Sequence, residues 1–116
     1  MSNYHEPLEL LNEKTRNITR AINSLKEELE AVDWYNQRVE ASSDEELKAI
    51  MAHNRDEEIE HACMTLEWLR RNMDGWDEEL KTYLFTSGPI TSIEGQEQAS
   101  DAPSNSGNGL NIGKMK

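Results

Sequence analysis

The sequence predicts an all-α chain: an antiparallel two-helix hairpin with a short third helix after it, half of a four-helix bundle that a second copy would complete. Three observations carry this. From Leu8 a seam recurs at alternating steps of three and four, through Leu11, Thr15, Ile18, Ile22, Leu25, Leu29, Val32, Asn36 and Val39, the pattern of a helix packed lengthwise on another. Over residues 44–73 Ala, Glu, Leu, Met and Arg dominate and no Pro or Gly intervenes, a composition that favours helix. Only Ala41-Ser42-Ser43 separates the two stretches, and so short a connection makes the flanking helices antiparallel neighbours.

Taken in order, Pro7 suits a helix N-terminus, and Glu6, Glu9 and Glu13 suit the positive end of its dipole. The first helix is expected over residues 7–41. Ser43 and Glu46 have the spacing of a capping box that starts the second helix. That helix is expected over 44–73, with Arg70 and Arg71 at its negative end and Asp74-Gly75 stopping it. Residues 76–85 read as a short third helix whose apolar face is Trp76, Leu80, Tyr83 and Leu84. From Thr86 onward Gly, Ser, Pro, Asn and Gln take over. The chain therefore divides into a helical domain over 1–90, a linker expected to be disordered over 91–109, and a terminal peptide over 110–116. In that peptide Leu110, Ile112 and Met115 bring apolar side chains back, with Gly113 between them. Alternating apolar residues suit an extended peptide in a partner's groove, and equally an ordinary polar terminus.

The totals narrow the function classes. At 116 residues the chain is one domain, and a formal net charge of −11 excludes the basic footprint that nucleic-acid binding needs. An acidic surface attracts cations, although a solvated face is its commoner meaning. Hydrophobic residues make up 35% of the chain, low for a hairpin that must enclose a core alone, so assembly into a homo-oligomer is expected. With Cys63 as its one cysteine the chain can form no internal disulfide, and it carries no signal peptide or membrane-length apolar run. No membrane partner and a cytoplasmic location follow as expectations. Cys63 reads as a small packing residue.

The chemistry centres on Glu58 and His61. Three apart on a helix, they share one face with Leu47, Met51, Asn54, Thr65 and Trp68. Leu47, Met51 and Trp68 are the residues such a face would bury, which leaves a carboxylate and an imidazole in mid-stripe. Buried ionisable groups are costly unless they pair or bind metal. Counting outward from Ser42 puts Glu28 nearly level with Glu58 on the facing helix, and His61 about a turn further from the loop. Four-helix di-iron bundles use a Glu from each of two helices and a Glu-x-x-His from each of the other two. This chain holds half of that set, and two copies about a two-fold axis would hold it all. Tyr35, seven residues beyond Glu28, lies on the same side. Against this stands the ordinary meaning of a lone Glu-x-x-His, a solvated surface pair. His53, Glu57 and Glu60 share a further face, either a weaker metal site or solvated ion pairs.

With these residues in place, the chain resembles the encapsulated ferritins, the ferritin-like cargo of encapsulin nanocompartments. The likeness covers residues 6–90. It is densest in Glu-Glu-Leu-Glu-Ala-Val-Asp-Trp-Tyr at 27–35 and His-Asn-Arg-Asp-Glu-Glu-Ile-Glu-His-Ala at 53–62, and continues through 64–72 and 83–85. The closing Leu-Asn-Ile-Gly-Lys-Met-Lys is similar to peptides that load cargo into encapsulin shells, with Met115 where Leu is usual. The resemblance implies a ferritin-like half-bundle whose dimers assemble into a decameric ring. It implies a ferroxidase that oxidises Fe(II) to Fe(III) at a di-iron site between subunits and supplies the iron to an encapsulin shell for storage, the protein residing inside that compartment. It puts the catalytic metal ligands at Glu28, Glu58 and His61, with Tyr35 close by. Glu27 and Glu30 match acidic iron-access positions beside Trp34, with calcium a further candidate ion there, and Leu110, Ile112, Gly113 and Met115 take the targeting role.

Two rival readings differ in class. In one the chain is a non-catalytic helical adaptor, its acidic stripe solubilising and its tail functional. In the other it is a di-iron protein that detoxifies oxygen or peroxide, with iron as cofactor rather than substrate.

Overall fold

The computed structural model describes residues 4–94. Among them every regular element is helical, in the order of a 3-10 turn at Leu8–Leu10, α1 (Glu13–Ala41), α2 (Glu45–Asn72), α3 (Trp76–Tyr83) and a 3-10 turn at Ile90–Ser92. The all-α hairpin with a short third helix is therefore present. One compact unit runs from the N-terminus to Trp76 and a second begins at Asp77.

The first helix starts later than Pro7. Leu11 is extended and Asn12 is the N-cap, its side chain accepting the Thr15 N–H at 2.8 Å. Asn is a poor helix former but a strong cap, because its side-chain oxygen satisfies an orphan backbone donor. Pro7 instead opens the preceding 3-10 turn, which Arg16 ties to α1 by donating from Nη2 to the Leu8 carbonyl. The expected cap of α2 also moves by one residue. Asp44, not Ser43, accepts the Leu47 N–H at 2.8 Å, and a carboxylate there gains from the helix dipole as well as from the hydrogen bond.

At its far end α2 is held by Glu67. Its carboxylate accepts from Arg70 Nε and Nη2 and from Arg71 Nε, each at 2.7 Å. Those hydrogen bonds, Arg70's foremost, pull the carboxyl from 4.5 down to about 2. Met73 leaves the helix in an extended conformation, and Gly75 (φ +102°) takes the positive-φ place in the turn before Trp76. In the second unit α3 ends at Tyr83, short of the expected Phe85, since Phe85 itself lies at φ +62° and cannot continue a right-handed helix. Ile93, just after the second 3-10 turn, is buried.

The core of the hairpin is narrow. On α2 it runs through Ala62 and Leu69, seven residues apart and respectively 8% and 0% exposed. Two expectations change at this seam. Leu29 stands 56% exposed, and the neighbouring Glu28 takes the half-buried position. Leu47 and Trp68, expected to be buried, are 46% and 37% exposed. A two-helix hairpin covers only part of each helix, so Leu47 and Trp68 at the ends of the stripe stay open while Met51, Asn54, Glu58, His61 and Thr65 between them are half-buried.

Candidate metal centre

Two side-chain contacts across the hairpin set its register. Near the loop Arg55 donates from Nη1 to Asn36 Oδ1 at 3.1 Å, and further along Thr65 Oγ1 donates to Glu28 Oε2 at 3.4 Å. Glu28 thus meets α2 at Thr65, a turn beyond His61, rather than level with Glu58 as counting from the loop implied. Side chains on a helix lean toward its N-terminus. In an antiparallel pair, α1 side chains therefore lean away from the loop and α2 side chains toward it. A count of Cα positions leaves this out.

Thr65 Oγ1 also donates to the His61 backbone carbonyl one turn back along α2 at 3.1 Å, so the residue that meets Glu28 is bonded to the backbone of the His61 turn. The imidazole of His61 has a carboxylate at each nitrogen: Glu58 Oε1 is 3.7 Å from Nδ1 and Glu57 Oε1 is 3.9 Å from Nε2. Glu58 is the more sheltered of the pair, its side chain 27% exposed against 42% for His61. Glu58 and His61 are thus half-buried on α2, and Glu28 on the facing helix is half-buried too. Glu28 Oε1 is buried yet has no hydrogen-bond donor. A buried acceptor without a partner is costly, and a cation is one group that would relieve it. Carboxylate oxygens with an imidazole nitrogen make a donor set that suits iron. Within the described residues of one chain, no three of the His, Cys, Asp and Glu side chains converge to hold a metal ion.

The other predicted residues lie elsewhere. Glu27, Glu30 and Trp34 are exposed on the outward face of α1, where Trp34, Gln37, Arg38 and Ala41 line an open depression. Tyr35 is half-buried, with the Arg38 guanidinium over its ring at 5.1 Å. His53 approaches Glu57 Oε2 at 4.0 Å, so Glu57 stands between two histidines. Cys63 is exposed rather than packed. Leu110, Ile112, Gly113 and Met115 lie outside the described residues. Among the described residues no helix is long and apolar enough to cross a membrane.

Sequence reasoning gave no role to Thr65 or to Glu57 as a partner of His61. The i, i+4 spacing of each with His61 was the available signal.

Comparison with known proteins places these observations. The EncFtn-like family profile matches residues 3–87. A "Ferritin-like protein" of Thermotoga maritima is 59% identical over 112 residues, covering 97% of this chain and 96% of that one. An "Encapsulated ferritin-like protein" of Rhodospirillum rubrum is 60% identical over 121 residues, covering 97% of this chain and 86% of that one. Among solved structures, the crystal structure of protein ne0167 from Nitrosomonas europaea superposes with a TM-score of 0.74 at 63% identity, over 77% of this chain and 99% of that one.

Proposed function

This chain belongs to the encapsulated ferritin family, and from that membership we propose that it is a ferroxidase whose di-iron site forms between two subunits and whose product iron passes to an encapsulin shell for storage. The observation that carries the reading is the orphaned carboxylate oxygen of Glu28, on the helix facing the Glu58–His61 pair. Glu28 has an unsatisfied oxygen and meets α2 at Thr65, one turn beyond His61, and Glu58 Oε1 lies 3.7 Å from the imidazole Nδ1. A second copy about a two-fold axis supplies the other half.

Fe(II) is the substrate, each ion giving up one electron, with dioxygen as the acceptor. The protein's part is to hold, space and bias. Glu58, Glu28 and His61 would hold the iron, Glu58 in a bridging role, Glu28 in a terminal or chelating one, and each His61 through one nitrogen. Accumulated carboxylate charge favours the ferric over the ferrous ion. Glu57, with a carboxylate oxygen 3.9 Å from the other nitrogen of His61, adds negative charge beside the ring. Tyr35 tunes a ligand. Glu27 and Glu30 with Trp34 form the access path, where calcium also binds, and dimers assemble into a decameric ring. The peptide at 110–116, with Leu110, Ile112, Gly113 and Met115, directs the assembly into the shell, so that the protein works inside a compartment in the cytoplasm.

The test is Fe(II) consumption under air, followed over many equivalents per chain. A ferroxidase continues to turn iron over. An adaptor produces no ferric absorbance above buffer, and a detoxifying di-iron protein stops once its sites are filled.

A further inference from the structure

We propose that Thr65 is a positioning residue for Glu28, an inference that rests on the metal reading of Glu28 and goes one contact beyond it. Thr65 lies in mid-helix, where a hydroxyl normally bonds back to the carbonyl four residues earlier. It does so here, to His61 at 3.1 Å. That bond fixes the rotamer and leaves Oγ1 at a set place on the seam. The second contact, to Glu28 Oε2 at 3.4 Å, comes from the same hydroxyl.

One proton is thus shared between the backbone of the His61 turn and the carboxylate of the facing helix. The result is an asymmetric grip on Glu28. Oε2 faces the Thr65 hydroxyl through a long contact, while Oε1 keeps its lone pairs uncommitted. A long, flexible Glu side chain would otherwise sample many rotamers, each costing entropy to select when a cation arrives. Holding one oxygen in advance removes part of that cost and keeps Glu28 and His61 in step. A valine would fill the same space and offer no donor.

Thr65→Val, Thr65→Ala and Thr65→Ser in the full chain test this, with anaerobic Co(II) as a redox-silent probe read by calorimetry and by its visible spectrum. Outer partners of metal ligands typically change affinity by roughly 10- to 100-fold, and this long contact belongs near the ~10-fold end. The expected result is weaker Co(II) binding and an altered spectrum in Thr65→Val and Thr65→Ala, near-native behaviour in Thr65→Ser, and oligomer mass unchanged throughout. If Thr65→Val fails to assemble, the Ala and Ser variants, which differ by one hydroxyl, decide the matter. Equal affinity and spectra in Ala and Ser would reduce Thr65 to packing, and tighter binding without the hydroxyl would make it a competitor of the metal. Either result overturns the proposal while leaving the metal reading intact. Failure of the wild-type chain to bind Co(II) would remove the metal reading and this inference together.

Discussion

Glu28 and Leu29 exchange the places that a heptad reading gives them, and the exchange matters chemically. A leucine at the sheltered position would close the seam, whereas a carboxylate there leaves a polar edge beside Thr65. Glu28→Gln, Glu58→Gln and His61→Ala should each abolish Fe(II) uptake while far-ultraviolet circular dichroism stays native. Unchanged uptake in any of them would remove that residue from the ligand set. Leu69 is a structural counterpart, a side chain with no solvent exposure. Leu69→Ala should cost about 2–5 kcal/mol through lost burial and the cavity left behind, seen as a lower denaturant midpoint. At this scale the sequence made Glu58 and His61 legible, since their spacing alone puts them on one face. Thr65 was on the same stripe but its role was not legible. Its contact with Glu28 depends on how far side chains lean along two opposed helices, which spacing within either helix does not encode.

The helices themselves were readable in extent and less so at their ends. Several polar residues compete for each cap, and the winner is fixed by backbone geometry one residue at a time. Asp44 holds the start of α2, so Asp44→Ala should destabilise by about 1 kcal/mol and Ser43→Ala by much less. Equal losses in thermal unfolding would restore the Ser43 capping box. The Glu67 cluster makes the other end of α2 acid-sensitive. Its carboxyl titrates at about 2 when folded against 4.5 unfolded. The stabilisation is therefore present above pH 4.5 and is lost as pH falls toward 2. Glu67→Gln should flatten that part of the stability–pH curve, and a curve parallel to wild type between pH 5 and 2 would contradict the cause assigned.

The hairpin as a whole leaves Leu29, Leu47, Met64 and Trp68 substantially exposed, an apolar load that fits assembly better than life as a monomer. The two-helix architecture was legible because period and loop length both demanded it. The described residues of one chain hold no complete metal cluster, and the sequence reached a full ligand set only by pairing two copies. Delivery is separable from catalysis on this account. Removing residues 110–116 should leave iron oxidation and assembly intact and abolish packaging into a co-expressed encapsulin, and a truncated protein recovered inside the shell would place the loading signal elsewhere. The most direct test of the central claim is anaerobic Fe(II) titration of monomer and oligomer fractions separated by size. A site built from two half-sets predicts that the oligomer binds about one ion per chain, that the monomer binds none tightly, and that Fe(II) drives the monomer to associate. Equal tight binding in both fractions, with no change in mass, would contradict it.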